Sequence, residues 1–410
     1  MKILVVNSRI KSIEFDIWDM PAEKPVAGAK IEKIGSDHSV LTIGMPGGRT
    51  SRFLVKTISH EDAFPSSLAV IFKEANLRRE EIGAVGHRVV HGGSYTDSMI
   101  IDETVKKEIY RDIDMAPLHN PYNLKVIEAA QKEFPSVRHV AVFDTAFHSS
   151  LPEHAYRYPL PERLYHEYKI RRYGFHGPAH KYLVEKTAAM MSRDISSMDM
   201  ITFYLGAGSS AAAIKGGKSV DTSMGFTPLE GLMMSTRSGD VSAGIIVYLL
   251  KNGWTVKEIE RTLNHESGLI GVSGESEDFK EVLKRALELG DNKCRLAVDM
   301  YIYRARKYLG AYWLNLLPDL CAISLTGDVA EEIPYVRKRL FEGLERFGIE
   351  ISDEKNSAYS LSPSDNLTFE MPGCAEITTE NSRVKVFVIP RSGDLLIARE
   401  TWAVVSGGKV

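Results

Sequence analysis

The sequence predicts an α/β protein with mixed β-sheets. Short apolar segments typical of strands alternate along the whole chain with longer amphipathic segments typical of helices. Glycine-containing turns follow several of these strands, and ligands of α/β folds bind beyond the strand ends. A hairpin pattern also occurs twice, at residues 3–18 and 200–222, which indicates two related halves.

The two hairpins are predicted from the pattern of polar and apolar residues. Ile3–Val6 is an apolar run expected to form a buried strand, and Ser12–Trp18 alternates polar with apolar residues as a half-buried strand does. Asn7–Lys11 is the turn expected between them. The second hairpin unit is expected to contain three strands separated by glycine turns, namely Ile201–Leu205, Ser210–Lys215 and Lys218–Val220.

Amphipathic segments predict the helices. They are Ile101–Ile113, Pro121–Glu133, Lys181–Met191, Val241–Asn252, Asp278–Leu289, Cys294–Leu316 and Ile333–Phe347. Gly348 follows the last of them as a suitable C-terminal cap residue. Two further strands, Cys321–Leu325 and Val384–Ile389, each lead through a turn into a helix, and the second of these helices starts near Leu395.

Length and composition limit the classes of protein to which the chain can belong. The 410 residues suggest two or three domains, and 44% hydrophobic with 26% charged residues is ordinary for a globular protein. A net charge of −3 gives no electrostatic case for binding nucleic acid or an anionic membrane. The three cysteines are widely spaced, which fits a reducing cytoplasm. The N-terminus lacks a long apolar region of the signal-peptide kind, and Ile245–Leu250 is too short to span a bilayer.

Three short motifs in the first half carry candidate functional residues. The motif GHRVVHGG at residues 86–93 puts Arg88 at a strand end, where a guanidinium can bind a carboxylate or phosphate in a bidentate way, or serve as a structural residue of a surface turn. APLHNP holds His119 between two prolines. FDTAFH places Asp144 after a strand, where it could orient magnesium or water, or equally well cap a helix.

The second half adds two histidines and an arginine. RRYGFHGPAH contains His176 and His180, whose spacing could bind a metal only on a helix. Because Gly177 and Pro178 argue against a helix there, we expect His176 to donate to an oxyanion and His180 to be structural. The stretch Ser219–Val241 places Arg237 among glycines and apolar residues, as suits an anion held against an apolar wall.

Arginines, histidines and an aspartate converging on one site would suit phosphoryl transfer. Its transition state spreads negative charge over several oxygens, so catalysis depends on positioning and on cationic stabilisation. The sequence shows no P-loop, no dinucleotide fingerprint and no serine-nucleophile motif.

Taken together, these segments resemble the acetate kinases, members of the actin-like and sugar-kinase superfamily. The resemblance covers nearly the whole chain, and its motifs are GHRVVHGG, APLHNP, AVFDTAFH, RRYGFHG, SVDTSMGFTPLEGLMMSTRSGD, SGLIGVSG, LAVDMYIYRARKYLGAY, RLFEGLERFGIE and VKVFVIP with IARET. It implies two duplicated actin-like (ribonuclease H-like) α/β domains with the active site in the cleft between them. The expected domains are 1–149 plus 385–410, with the C-terminal strand and helix returning to the first domain, and 150–384.

The resemblance also implies the reaction and its participants. Acetate kinases transfer the γ-phosphoryl group of ATP reversibly to acetate or another short-chain carboxylate such as propionate, giving an acyl phosphate and ADP, and they use magnesium. By the same resemblance we expect a homodimer. From the cysteines and the net charge we expect a cytoplasmic protein without a nucleic-acid or membrane partner.

Residue roles follow by the same resemblance, motif by motif. Arg88 and Arg237 would bind the carboxylate and the transferring phosphoryl group. His176 would stabilise the transition state with His119 nearby, and Asp144 would orient arginine and metal. Asn7 is a second candidate metal ligand. The implied methyl pocket consists of Val90, Leu118, Phe175 and Pro228.

The chain departs from the family pattern in the loops that would hold the phosphoryl donor. In the first phosphate turn, Arg9 replaces a glycine and Glu14 replaces a lysine, where it would repel a polyphosphate unless Arg9 and Lys11 compensate. In the second phosphate loop, Tyr204 and Ala207 replace histidine and asparagine. The glycines and the serine of that loop remain as Gly206, Gly208 and Ser209.

The loops expected to hold the adenosine and a metal-linked acid also differ. The adenosine loop reads Gly327-Asp328-Val329-Ala330-Glu331-Glu332, with two family glycines lost and acids added. The adenine-side motif is Ser276-Glu277-Asp278-Phe279-Lys280, with Lys280 for arginine, and Gly393-Asp394 stands where the family has two glutamates. Gly206, Gly208, Ser209, Asp278, Phe279, Lys280, Gly327 and Ala330 are therefore the candidate nucleotide-binding residues.

Three functions are compatible with this pattern. The first is an acetate or propionate kinase with an unusual nucleotide site. The second is the same acyl transfer with another donor, such as pyrophosphate. The third is a degenerate homologue that binds a carboxylate or acyl phosphate as a sensor or complex subunit.

Overall fold

The computed structural model describes residues 1–359 and 373–407. Contacts within the chain divide these residues into two compact units. The first unit contains residues 1–147 and 392–407, and the second contains residues 148–359 and 373–391.

Each unit is built on one mixed sheet. The first sheet contains β1 (Lys2–Arg9), β2 (Ser12–Asp19), β3 (Lys24–Glu32), β4 (Ser39–Gly44), β5 (Thr50–Val55), β6 (Ile82–Val89), β7 (Met99–Ile100) and β8 (Arg138–Phe143). The second contains β9 (Met200–Leu205), β10 (Ser209–Lys215), β11 (Lys218–Thr222), β12 (Ala322–Thr326), β13 (Ala375–Glu376) and β14 (Lys385–Val388).

The helices of the described residues alternate with these strands. They are α1 (His60–Glu74), α2 (Glu103–Arg111), α3 (Asn120–Glu133), α4 (Glu153–Tyr156), α5 (Glu162–Tyr168), α6 (Gly177–Met190), α7 (Ala243–Lys251), α8 (Val256–His265), α9 (Gly268–Ser273), α10 (Phe279–Glu288), α11 (Asn292–Leu316), α12 (Asp328–Glu332), α13 (Pro334–Phe341), α14 (Asp353–Ala358) and α15 (Gly393–Ser406). The predicted α/β class with mixed sheets is therefore confirmed.

The two sheets share one five-strand arrangement. In the first, β3, β2 and β1 are antiparallel neighbours, and β6 and β8 continue the sheet parallel to β1. In the second, β11, β10 and β9 are antiparallel neighbours, and β12 and β14 continue parallel to β9. The repeated hairpin in the sequence thus marks a repeated sheet, as predicted.

Two boundaries differ from the sequence-based expectations. Asn7 belongs to β1, where it pairs with Glu14, and the turn contains only Ile10 and Lys11. The strand Lys385–Val388 pairs with β12 in the second sheet, whereas the expected boundary at residue 385 assigned it to the first domain. Strand pairing depends on partners far along the chain, which a local pattern does not contain.

One helix is shorter than predicted. The helix expected over Ile333–Phe347 ends at Phe341, and a separate 3-10 turn follows at Glu345–Phe347. Gly343 lies between them with φ of +78°, a left-handed conformation that interrupts a helix and favours glycine. Gly348 ends the 3-10 turn in the same left-handed region, at φ of +86°.

Each unit has its own apolar core. In the first, Phe15 of β2 packs against Phe64 of α1 with ring centroids 5.6 Å apart, and Leu4 and Ile17 are fully buried beside them. In the second, the long helix α11 buries Tyr301 and other apolar residues against β9 and β10. Among the described residues, none of the helices has the length and apolar character needed to cross a bilayer.

Candidate active site

A two-point ion pair fixes the arginine of the first unit. Arg88 lies near the end of β6, and Asp144 follows the neighbouring parallel strand β8. Nε of Arg88 is 2.8 Å from Oδ1 of Asp144, and Nη2 is 2.6 Å from Oδ2. Nη1 donates to Oδ1 of Asn7 at 3.3 Å. Asp144 is 1% exposed, while Arg88 keeps 21% of its side chain exposed.

Two buried asparagines hold the loop that follows Arg88. Oδ1 of Asn120 accepts from the backbone N–H of His91 at 3.1 Å, and Oδ1 of Asn123 accepts from that of Val90 at 3.3 Å. Nδ2 of Asn123 also donates to Oγ of Ser8 at 2.8 Å. Neither asparagine was among the residues predicted from the sequence. The available signal was their position, since Asn120 lies within APLHNP and Asn123 lies in the first turn of the helix predicted to begin at Pro121.

His119 and two residues of the expected methyl pocket lie near this loop in the chain. His119 is half-buried at the N-cap of α3, and its N–H donates to the carbonyl of Ala116 at 3.0 Å. Val90 is 5% exposed and Leu118 is half-buried.

Glu14, which stands where the family has a lysine, forms an ion pair with Arg9, which stands where the family has a glycine. Oε2 of Glu14 accepts from Nδ2 of Asn7 at 2.8 Å, directly across the hairpin. Nη2 of Arg9 lies 3.3 Å from the same oxygen. The charge of Glu14 is thus balanced by Arg9, one of the two compensating cations that the sequence offered.

His176, Arg237 and Gly208 come together in the second unit. His176 lies just before α6 with φ of +60°, and Ser210 Oγ is 2.9 Å from its Nδ1. A side chain at Gly208 would place its Cβ 2.6 Å from Nη2 of Arg237 and 3.5 Å from Nε2 of His176. Nη1 of Arg237 donates to the carbonyl of Pro228 at 2.8 Å. The glycine therefore lets a donor nitrogen of each side chain approach the same short turn.

The backbone before His176 is held by a buried histidine. The carbonyl of Phe175 lies 3.0 Å from Nε2 of His148, and Oγ of Ser219 lies 2.8 Å from its Nδ1. Since a carbonyl only accepts, Nε2 of His148 carries the proton. Burial lowers the pKa of His148 to about 4. Phe175 itself is 1% exposed.

Charged residues also fix the stretch that carries Arg237. Arg172 donates through Nη1 to the successive carbonyls of residues 222–224 and through Nη2 to Oε1 of Glu230 at 2.6 Å. Oδ1 of Asp240 accepts from the N–H of Gly231 at 2.9 Å. Glu230 and Asp240 thus shape the segment, and Arg172 is a structural residue that the sequence analysis did not single out.

The second phosphate loop of the predicted site is a tight glycine turn. The N–H of Gly206 donates to the carbonyl of Gly208 at 3.1 Å. Ser209 is fully buried, with its hydroxyl 2.9 Å from that of Tyr301, so its side chain faces the core. A Cβ at Gly206 would collide with Oδ1 of Asp328, which places this acid directly against the turn.

Several donor-loop residues that differ from the family pattern surround Arg391. Arg391 lies 3.9 Å from both Asp328 and Glu331, measured between ion-pair atoms. Burial disfavours the charged form, yet the neighbouring Tyr204, Glu331 and Asp328 raise the pKa of this guanidinium above its ordinary value. The ring of Tyr204 in turn lies 4.5 Å from that of His176, centroid to centroid. Tyr204 and Asp328 were predicted from the sequence to differ from the family pattern, whereas Arg391 was not among the predicted site residues.

Glu331 stabilises the expected adenosine loop. Its Oε1 accepts from the N–H of Gly327 at 2.7 Å, from the hydroxyl of Thr326 at 3.0 Å and from the N–H of Arg391 at 3.0 Å. Gly327 has φ of +96°, and Ala330 is fully buried in α12. Burial raises the pKa of Glu331, although these donors favour its charged form.

The adenine-side residues have local structural partners. Asp278 caps α10, accepting from the N–H of Lys280 at 2.7 Å and that of Glu281 at 3.1 Å. Phe279 is 5% exposed and packs on Tyr301. Lys280 forms an ion pair with Glu332, so two departures from the family pattern neutralise each other.

Taken unit by unit, the site geometry defines a class of protein. The first unit presents a guanidinium oriented by a buried carboxylate, and the second presents an imidazole and a guanidinium beside a glycine turn. Cationic donors fixed in this way suit an enzyme that transfers a phosphoryl group, because the charge of the transition state lies on phosphate oxygens.

Comparisons with known proteins identify the family. Residues 2–399 match the model of the acetokinase family. The acetate kinase of Thermoanaerobacter pseudethanolicus is 42% identical over 415 residues, which cover 100% of both chains. The acetate kinase structure of Porphyromonas gingivalis superposes with a TM-score of 0.88 at 35% identity, covering 98% of this chain and 99% of that one.

A propionate kinase structure is equally similar. The protein from Francisella tularensis subsp. tularensis SCHU S4 superposes with a TM-score of 0.89 at 34% identity and covers 98% of each chain. The chain belongs to the acetokinase family, and it is a phosphotransferase with a short-chain carboxyl group as acceptor.

Proposed function

We propose that the protein transfers the γ-phosphoryl group of ATP reversibly to acetate or propionate, giving an acyl phosphate and ADP. The observation that carries this proposal is the pair of fixed cationic groups, Arg88 on Asp144 and Arg237 beside His176. Both substrates of such a reaction are anions, and a planar guanidinium matches carboxylate and phosphate oxygens.

In this proposal the two arginines hold the reacting anions and the histidine donates to the phosphoryl group. Arg88 and Arg237 bind the carboxylate and the phosphoryl group in flight, and His176 stabilises the transition state, with His119 nearby. Val90, Leu118, Phe175 and Pro228 form the pocket for the methyl or ethyl group. A tight apolar pocket discriminates acyl chains by about 1–3 kcal/mol per methylene.

Magnesium fits the residues proposed to hold it. Asp144 offers a carboxylate and Asn7 an amide oxygen, both in contact with Arg88. Mg²⁺ prefers such oxygen ligands and is commonly held by one or two carboxylates together with substrate phosphates. When bound, the ion neutralises charge that develops on the phosphates. Within residues 1–359 and 373–407 no three His, Cys, Asp or Glu side chains converge on a metal position.

Pyrophosphate is a second candidate donor. A specific observation favours it: Asp328 lies against Gly206, and Lys280 of the adenine-side motif is paired with Glu332 of the adenosine loop. A donor without a nucleoside would not need those loops, whereas ATP would have to be accommodated beside both acids.

A hydroxamate assay tests the reaction and its donor. Purified protein is incubated with acetate, magnesium and hydroxylamine, together with ATP or pyrophosphate, and acyl hydroxamate is measured. We expect product with ATP. Product with pyrophosphate alone would replace ATP by the second donor. No product with either donor, combined with binding of acetyl phosphate by calorimetry, would refute the kinase proposal in favour of a sensor or complex subunit. Reactions without acetate and with Arg237→Ala are the controls.

We also propose that the protein acts as a homodimer in the cytoplasm. Helix α7 has no buried residue, although it carries exposed Ile245, Val247 and Tyr248, and an apolar helix is normally covered. A second copy is the proposed cover, and Val247→Glu with Tyr248→Glu should yield a monomer in light scattering. An unchanged mass would contradict this interface.

The three cysteines are free, which fits a reducing compartment.

A further inference from the structure

A chain of hydrogen-bonding side chains leads from His176 into the core of the second unit. Nδ1 of His176 lies 2.9 Å from Oγ of Ser210, and the same oxygen lies 2.8 Å from Nε2 of His180. Nδ1 of His180 lies 2.8 Å from Oγ1 of Thr202. Ser210, His180 and Thr202 are all 0% exposed, so bulk water cannot supply a hydrogen bond that one of these side chains lacks.

The secondary structure fixes this chain of contacts. Thr202 belongs to β9 and Ser210 to the adjacent antiparallel strand β10, while His180 lies in the first turn of α6. His176 is outside the helix at its N-cap. All four side chains therefore stand on elements that pack within one unit.

The number of protons available allows two donor-to-acceptor directions for this row of hydrogen bonds. A hydroxyl has one proton, so Ser210 can donate to only one of the two imidazoles, and the other imidazole must donate to Ser210. In the first direction, His176 donates from Nδ1 and His180 donates from Nδ1 to Thr202. In the second, Thr202 donates to Nδ1 of His180, His180 donates from Nε2 to Ser210, and Ser210 donates to Nδ1 of His176.

The environment of Thr202 selects the second direction. Across residues 1–359 and 373–407, the hydroxyl of Thr202 makes a hydrogen bond only with His180. In the first direction this hydroxyl would accept from His180 and leave its own proton without an acceptor. A buried polar group left in that way has lost its hydration without gaining a hydrogen bond, which destabilises the folded protein. In the second direction the protons of Thr202, His180 and Ser210 all have acceptors, and the proton on Nε2 of His176 is left for a ligand.

We propose that Thr202, His180 and Ser210 form a relay that holds His176 as a neutral imidazole with its proton on Nε2. Nε2 of His176 would lie 3.5 Å from a Cβ at Gly208, a position that Nη2 of Arg237 approaches to 2.6 Å, so the relay leaves the donor of His176 beside the turn where the phosphoryl group is proposed to bind. This inference rests on the proposed role of His176 in phosphoryl transfer. Thr202, His180 and Ser210 act through His176 and are positioning residues.

The buried position of His180 supports its assignment as a neutral link. Burial, assisted by the neighbouring His148, lowers the pKa of His180 well below its ordinary value. A neutral His180 has one proton, and the relay places it on Nε2. His148 sits with its ring at 5.5 Å from that of His180 and also carries its proton on Nε2, because that nitrogen faces the Phe175 carbonyl.

Long-range ¹H–¹⁵N NMR of protein labelled on histidine reads the tautomers directly. The His176 signal is assigned by its loss in His176→Gln, and His148 serves as an internal Nε2–H reference. We expect His176 and His180 of the unmodified protein to show Nε2–H. An Nδ1–H tautomer of His176, or a doubly protonated ring at pH 8, would overturn the relay.

Substitution at the far end of the relay provides the second readout. Thr202→Val removes the hydroxyl with little change of shape, so we expect His176 to populate the Nδ1–H form and kcat to fall at least ~10-fold, with the KM for acetate changed less than about 3-fold. Thr187→Val is the matched control. Its buried hydroxyl bonds the carbonyl of Leu183 and the hydroxyl of Ser324, outside the relay.

The two readouts separate failure of the relay from failure of the proposed function. An unchanged His176 spectrum in Thr202→Val, or the same spectral change in Thr187→Val, would refute the relay. If the unmodified protein has no turnover, the tautomers still test the relay, while the hydroxamate assay has then refuted the kinase function independently.

Discussion

The guanidinium of Arg88 and the carboxylate of Asp144 meet in a two-point ion pair, with nitrogen–oxygen distances of 2.8 and 2.6 Å. The carboxylate is buried and the arginine is partly exposed, so the pair presents a cation in a fixed orientation at the carboxyl ends of the neighbouring strands β6 and β8. Such preorganised charge stabilises a transition state without a reorganisation cost at the moment of reaction.

Removing the carboxylate should therefore disable the arginine. We expect Asp144→Asn to lower kcat by roughly 10²–10³-fold, because Arg88 loses its orienting partner and the proposed metal loses a ligand. Steady-state hydroxamate assays measure the effect. Arg79→Ala is the control in the same unit, since it removes an exposed ion pair with Glu133 that contributes at most about 1 kcal/mol. Equal activity of Asp144→Asn and Arg79→Ala would refute the role of the pair.

Adding one methyl group at Gly208 should separate activity from folding. In Gly208→Ala the new Cβ lies within 2.6 Å of Arg237, so the guanidinium must move away from the turn. We expect kcat/KM to fall at least ~100-fold with an unchanged circular dichroism spectrum. Gly310→Ala in α11 has nothing within 4 Å of its new Cβ, and it should keep activity and gain about 0.5–1 kcal/mol of stability. Full activity of Gly208→Ala would contradict the site.

Arg391 offers a test of the donor side. This cation stands among Tyr204, Asp328 and Glu331 beside the glycine turn. Arg391→Met should raise the KM for the phosphoryl donor about 10-fold or more and leave the KM for acetate nearly unchanged, because only the donor carries phosphates. The exposed Arg383→Met is the control. A rise confined to the KM for acetate would assign Arg391 to the acceptor instead.

Buried histidines predict acid sensitivity. The pKa of His148 is lowered by burial from 6.5 to about 4, so below pH 6.5 the unfolded chain takes up a proton that the folded protein does not. Stability from this group is complete above pH 6.5 and is lost as the pH falls toward 4, by roughly 3 kcal/mol in total. Urea unfolding at several pH values measures the slope.

The matched substitutions for that slope are His148→Gln and His38→Gln. The first replaces the buried histidine and should flatten the decline between pH 6.5 and 4, even though it lowers stability at pH 8. The second replaces an exposed histidine and should leave the decline unchanged. Identical slopes in the unmodified protein and His148→Gln would contradict the assignment.

Local sequence patterns predicted much of the fold because strands and helices have their own periods of burial. The strand at residues 200–205 and the helices α3, α10 and α11 agree with their predictions to within a few residues. The strands β3 to β5 and helix α1 were not predicted. The pairing of β14 with β12 was also beyond local sequence, since it joins segments about 60 residues apart.

The sequence by itself determined the family and the repeated hairpin, and it supplied the proposed acceptor-side residues, because those features reside in residue types and their spacing. Only the tertiary structure decided what the departures from the family pattern do. Arg9 balances Glu14, and Lys280 balances Glu332, through contacts set by strand pairing and helix packing. The tertiary structure also decided the proposed role of His180, because that role depends on which hydroxyls lie beside its two ring nitrogens. Charge compensation and proton direction depend on distances of a few ångströms between residues far apart in the chain, and these arise only on folding.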